Sequence, residues 1–164
     1  MHRTNALPVL LFICSCSPNS QSQSQPPDEN DIVLLAQDDA DMNAAIAKAR
    51  ATLDEFLALK ASPQKGANGF RLKVALSDSN GTEHFWVIPF VETTNGFEGT
   101  LANDPEMITG VKAGQQIKFL KKDISDWGYV KEGRQIGSFT VCAMFKHMSA
   151  DEVEYYRANH GFDC

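Results

Sequence analysis

The sequence is short of the residue patterns that announce catalysis. No Gly-x-Ser-x-Gly elbow is present, so that kind of hydrolase nucleophile has no seat. Histidine is scarce at four residues, and no two stand at His-x-x-x-His spacing. His160 and Cys164 form a lone His-x-x-x-Cys with no second pair, so neither a metal nor another cofactor is expected. No basic run exceeds the pair Lys121-Lys122, and the net charge is −6. Nucleic acid, which selects basic patches, is therefore excluded as a partner. No apolar stretch approaches the ~20 residues of a membrane-spanning helix. What is present is 164 residues with 43% hydrophobic and 22% charged, enough for one domain plus processing segments.

The first segment is a tether. Arg3 supplies a short positive region, and Ala6 to Ile13 a short apolar one interrupted by Pro8. Together they read as a secretory signal over residues 1–15. Ile13-Cys14-Ser15-Cys16 resembles a bacterial lipobox, with an aliphatic residue three before the cysteine and a small one just before it. Cys16 is the expected lipidation site. Cys14 is the alternative, but it would follow the bulky Ile13, and a plain secretory signal is the blander reading. Ser17 after the cysteine, by resemblance to Gram-negative lipoproteins, favours the outer membrane. Each buried acyl CH₂ contributes ~0.8 kcal/mol to anchoring. Residues 16–38 read as a lipid-anchored linker. Its Ser17–Asp31 part is low in complexity, and about fifteen such residues span roughly 20 Å. Ile32 to Ala36 could add a small strand or a staple.

The domain is expected over residues 39–164. Asp41 is a fitting N-cap, and no Gly or Pro follows until Pro63. Ala45, Ile46, Ala49, Leu53, Phe56 and Leu57 recur at helical spacing, which predicts one amphipathic helix over Met42 to Leu59. Phe70 to Leu76 alternates in period two, with Arg71 and Lys73 on the polar side. Asn80-Gly81 then signals a hairpin. Glu83 to Val91 is apolar on both faces, so a doubly covered strand is expected, with a bulge at Pro89. Short strands follow at Phe97–Leu101, Gln115–Leu120 and Trp127–Val130. A turn at Lys131–Arg134 leads to a last strand over Gln135 to Phe145. Ser149 and Glu152 form a capping box, and Gly161 closes the final helix. Strands and helices do not alternate. The expected class is α+β, with an antiparallel sheet of five or six strands, strongly bent or barrel-like, flanked by an N-terminal and a C-terminal helix.

Each candidate for chemistry has a plainer reading beside it. His84, next to Trp86, could be a general base, but it lacks an evident nucleophile and reads as a surface or sheet-packing residue. Asp123 and Asp126 flank Ile124-Ser125 near Trp127. An acid against an indole can be a catalytic device, yet both aspartates read more simply as turn residues bonding nearby N–H groups. Trp127 and Tyr129 share a strand face and suit the core, or stacking on a sugar or a partner side chain. Trp86, Asp126, Trp127 and Tyr129 are thus the binding candidates, and no residue is nominated as catalytic. Once Cys16 is acylated, an exported chain retains Cys142 and Cys164, so a disulfide between them is expected. A buried free Cys142 with a loose Cys164 is the alternative.

Several pieces in this order resemble one family. They are Phe-Trp-Val at Phe85–Val87, Gly-Phe-Glu-Gly-Thr-Leu-Ala-Asn-Asp-Pro at Gly96–Pro105 and Gly-Gln-Gln-Ile-Lys-Phe at Gly114–Phe119. Ile-Ser-Asp-Trp-Gly-Tyr at Ile124–Tyr129 and Gly-Ser-Phe-Thr at Gly137–Thr140 complete the set. Over about Asp39 to Met148 the chain resembles the YegJ-like family of bacterial proteins, domain-of-unknown-function family 2314. That resemblance carries no established activity, and related small domains have been proposed as immunity proteins against toxins. The function expected is a lipid-anchored envelope protein at the periplasmic face of the outer membrane, with a non-catalytic binding domain. Neutralising a toxin or an envelope enzyme is one version, and the acidic charge suits a protein partner with a basic surface. The alternative is a small envelope hydrolase acting on cell-wall material through Asp126 or His84.

Overall fold

The structure, a computed structural model, describes residues 39–164. The signal segment, Cys14, Cys16 and the linker to residue 38 lie outside the described residues. Two helices open the domain, α1 (Ala40–Ala51) and α2 (Leu53–Ala61). Asp39, rather than Asp41, caps α1, its Oδ1 accepting from Met42 N at 2.7 Å. The single helix expected over this stretch is broken at Thr52. There the Trp127 indole N–H donates to the Ala49 carbonyl (2.9 Å), and the Thr52 hydroxyl donates to the Lys48 carbonyl (2.9 Å). Side chains that take main-chain acceptors from the ladder bend helices in this way.

Six strands follow: β1 (Ala67–Asp78), β2 (Gly81–Thr93), β3 (Gly96–Leu101), β4 (Gln116–Phe119), β5 (Ile124–Lys131) and β6 (Arg134–Gly137). They pair antiparallel in the order β4-β3-β2-β1-β5-β6. The sheet stays open, with β4 and β6 at its edges, so the fold is α+β without barrel-like closure. The β2–β3 register shifts between Val87 and Phe90, where Pro89 follows a cis bond. Glu132 and Gly133, both at positive φ, make the β5–β6 turn, the arrangement that suits a twisted hairpin.

The last expected strand stops early. Gly137 (φ 80°) and Ser138 (φ 50°) turn the chain out of the sheet. The chain then forms α3 (Phe139–Met144), a 3₁₀ turn and α4 (Ala150–His160). Phe139, Val141, Ala143 and Phe145 looked like a strand because a short apolar run fits either period. The deciding partner is Asp126, which caps α3 from another strand. α4 carries the expected capping box, with Ser149 N donating to Glu152 Oε2 at 2.7 Å. Gly161 (φ 73°) ends it. Cys142 and Cys164 are joined by a disulfide, Cα to Cα 5.4 Å.

Helices α1 and α2 cover one face of the sheet. Beneath them lie Leu72, Val74, Phe85, Val87, Ile124, Trp127 and Tyr129, all buried. Phe56 stacks on Trp127 with centroids 4.8 Å apart, and Phe70 on Tyr129 at 5.1 Å. Aromatic pairs of this kind add ~1 kcal/mol each beyond their area burial. Strand β2 is covered on this side only. Its outward residues His84 and Trp86 are half-buried, and Ile88 and Val91 are 38% and 56% exposed. Double coverage was expected because β2 is apolar on both faces, but the second face leaves Ile88 and Val91 exposed.

Candidate functional site

The open face is built by alternation. On β1, Leu72 and Val74 point to the core, so Arg71 and Lys73 point away from it. On β2, Phe85 and Val87 point inward, so His84 and Trp86 point outward. The β1–β2 register sets Lys73 opposite Trp86 and Ala75 opposite His84. As a result the Arg71 guanidinium carbon lies 4.8 Å from the Trp86 ring centroid, and Lys73 Nζ lies 5.5 Å from it. Such cation–ring contacts are worth ~0.5–1 kcal/mol when exposed and more when desolvated.

The rim of this face comes from β5, β6 and the start of α3. Arg71 Nη2 donates to Gln135 Oε1 (2.6 Å) and Ser138 Oγ (3.0 Å). Lys73 Nζ donates to Thr140 Oγ1 (3.2 Å). Burial pulls both cations below their ordinary pKa values, and attraction to Asp126 offsets this only in part.

Asp126 is fully buried in a strand, not in a turn. Its carboxylate accepts from Trp127 N (2.8 Å), Phe139 N (3.2 Å), Thr140 N (2.8 Å) and Thr140 Oγ1 (2.7 Å). Burial raises its pKa, while the donors from Thr140 and Trp127 and the charge of Lys73 pull it back. All of its strong contacts are internal, so it acts as the cap that stops β6 and starts α3. The expected role as turn initiator belongs instead to Asp123, whose Oδ2 accepts from Leu120 N at 2.9 Å.

His84 does have a hydroxyl neighbour, which the sequence reading did not supply. His84 Nδ1 lies 2.8 Å from Ser125 Oγ. Ser125 sits at the β1–β5 register shift, is fully buried, and donates its hydroxyl proton to the Lys73 carbonyl at 3.2 Å. With the Ser125 proton on the Lys73 carbonyl, His84 Nδ1 donates to Ser125, and in the other tautomer it accepts from it. Burial first, then the charges of Lys73 and Arg50, hold the His84 pKa below its ordinary value. Ser125 is fully buried, and the pair links β2 to the β1–β5 register shift.

Of the four binding candidates, only Trp86 lies on accessible surface. Trp127 and Tyr129 are in the core, 7% and 9% exposed, and Asp126 is the internal cap. Arg71, Lys73, Ser138 and Thr140 were missed as a group. One signal was available: a two-residue hairpin sets Arg71 and Lys73 on the same face as His84 and Trp86. Among the described residues no three His, Cys, Asp or Glu side chains are placed to hold a metal ion. Nor, among them, is any helix long and apolar enough to cross a membrane. A surface recess of about 420 Å³ lies elsewhere, near Phe97, Phe119 and the Glu98–Lys118 ion pair. Both charged side chains of that pair are exposed.

An open six-stranded antiparallel sheet with helices on one face defines a small α+β domain. Comparison with known proteins places it more closely. Residues 39–164 match the family described as an uncharacterized protein conserved in bacteria, DUF2314, and the chain belongs to that family. It is 33% identical over 117 residues to the uncharacterized protein YegJ of Escherichia coli strain K12, covering 71% of this chain and 75% of that one. It is also 33% identical over 86 residues to a putative ankyrin repeat protein of Neisseria meningitidis serogroup B, covering 52% of this chain and 34% of that protein. No solved structure matches the chain.

Proposed function

We propose that the chain is a lipid-anchored envelope protein whose domain is a non-catalytic binding module, with the open sheet face around Trp86 as its contact surface. One observation carries the reading. The side chains able to do chemistry are consumed internally, Asp126 by four donors and Ser125 by burial and its bond to Lys73, while Trp86 keeps an accessible ring. The lipobox-like Ile13-Cys14-Ser15-Cys16 and the polar linker after it support attachment through acylated Cys16 at the periplasmic face of the outer membrane. The partner is a protein, and neutralisation of a toxin or an envelope enzyme is the immunity-like version.

The envelope hydrolase is the second reading, favoured only by the 2.8 Å His84–Ser125 contact. The full burial of Ser125 weighs against it. Two measurements test the first reading. Cys16→Ser should move the chain from the membrane to the soluble fraction. A partner captured from envelope extract by the tagged lipoprotein should be lost on Trp86→Ala. Turnover of cell-wall material that disappears on His84→Gln would favour the hydrolase instead.

A further inference from the structure

The charge on the open face is unbalanced. Arg71 and Lys73 stand two residues apart on β1, about 7 Å along the strand, and both lie against Trp86. Among the described residues neither has a carboxylate within ion-pair distance. Their hydrogen-bond partners are neutral: Gln135, Ser138 and Thr140. Asp126 is near enough to attract them, but its oxygens are already occupied by four donors. Two half-buried cations against one saturated carboxylate leave this face positive within a chain of net charge −6. The net charge would draw a basic partner at long range. Exposed charges are screened beyond about 8 Å at physiological ionic strength, so at contact distance the local sign decides.

The face does not end at the cations. Past Trp86 it continues along β2 into exposed Ile88 and Val91. A free phosphate would use the cations and leave the apolar part wet. An extended polypeptide with an acidic residue beside apolar ones would use both.

We propose that this face takes an acidic–apolar segment of a protein partner, with a glutamate or aspartate carboxylate seated between Arg71 and Lys73 at the Trp86 ring and an apolar neighbour against Ile88. The inference rests on the binding-module reading and names the partner's chemistry. Because the remainder of the chain is acidic, such a segment is repelled elsewhere and accepted here, which supplies specificity as well as contact.

The chain has two tryptophans, so Trp127→Phe leaves Trp86 as the fluorescent reporter. The probes are a short peptide alternating glutamate with leucine, its glutamine counterpart, and inorganic phosphate. The glutamate peptide should shift Trp86 emission saturably. Its affinity should exceed that of the glutamine peptide by about tenfold and fall by about tenfold in the Arg71→Gln, Lys73→Gln double variant. If that variant unfolds, Lys73→Met keeps the aliphatic stem on the ring and carries the same test. Equal affinity for the two peptides, no saturable shift with either, or tighter binding of phosphate than of the glutamate peptide overturns the proposal. A captured partner lost on Trp86→Ala but kept by the double variant would overturn the acidic occupant and leave the binding module standing.

Discussion

The two tryptophans of this chain sit on opposite faces of one sheet and do opposite work. Trp127 lies between β5 and the helices, stacked on Phe56, its indole N–H held by the Ala49 carbonyl at 2.9 Å. Trp86 lies on the uncovered side, its ring flanked by Arg71 and Lys73. Residue type does not distinguish them, and both stand in strands. The difference is what covers them. A ring sealed under helices contributes to stability. A ring under cations at a partly exposed face contributes less to stability.

That contrast can be broken by substitution. Trp127→Ala should lower stability most, by about 4 kcal/mol, since it removes a large buried ring and leaves a cavity. Thermal unfolding should fall by 10 °C or so. A loss no larger than that of Trp86→Ala would erase the distinction between the faces.

Asp126→Asn comes next, at about 3 kcal/mol by chemical denaturation. An amide nitrogen cannot accept from the N–H groups that the lost oxygen served, so the α3 cap is left unsatisfied. Near-native stability would mean the cap is not what ends β6.

The disulfide sharpens the same corner from outside. It ties α3 to the C-terminus across 22 residues of sequence. Replacing both cysteines with serine should cost about 3 kcal/mol in the chain-entropy model. An unchanged unfolding midpoint in reductant would show that the C-terminal segment is held by other contacts, such as Gln135 N to the Gly161 carbonyl at 2.9 Å.

Trp86→Ala should cost only about 1 kcal/mol, its ring being half-buried and its cation contacts modest. The pH effect of His84 is smaller again. Its folded pKa lies below the ordinary value of 6.5, so the unfolded chain takes up a proton that the folded chain refuses. The stability His84 contributes is complete above about pH 6.5 and is lost as pH falls through the lower folded value. Denaturation series on either side of pH 6.5 should show that decline, and His84→Gln should flatten it. A decline that persists unchanged in the variant would place the titration on another group.

Much of the scaffold could be read from the chain. The helical spacing from Ala45 to Leu57, the period-two alternation of Phe70 to Leu76 and the Ser149–Glu152 box are local patterns, and each lies where expected, save that the first helix is divided at Thr52. The open face was half legible. Alternation alone sets Arg71 and Lys73 on one side of β1 and His84 and Trp86 on one side of β2. Which residues meet across the strands was not legible. A turn centred on Asn80-Gly81 would set Lys73 opposite Ile88, whereas the observed turn, closed by the Asp78–Gly81 pair, sets it opposite Trp86. One residue of turn placement moves the partner by two and keeps the face.

Sequence by itself therefore determined the class of the domain, its family, its strand faces and the apolar set that fills its core. The family rests on the motifs it shares with its relatives, and the rest depends on periodicity, which is a property of neighbours in the chain. The tertiary structure alone decided that Asp126 caps α3, that Ser125 is buried against His84, that Trp127 meets the first helix at its break, and that two cations share Trp86 with no carboxylate in ion-pair contact among the described residues. Each of those depends on a bond between residues far apart in the chain, and no local period records it.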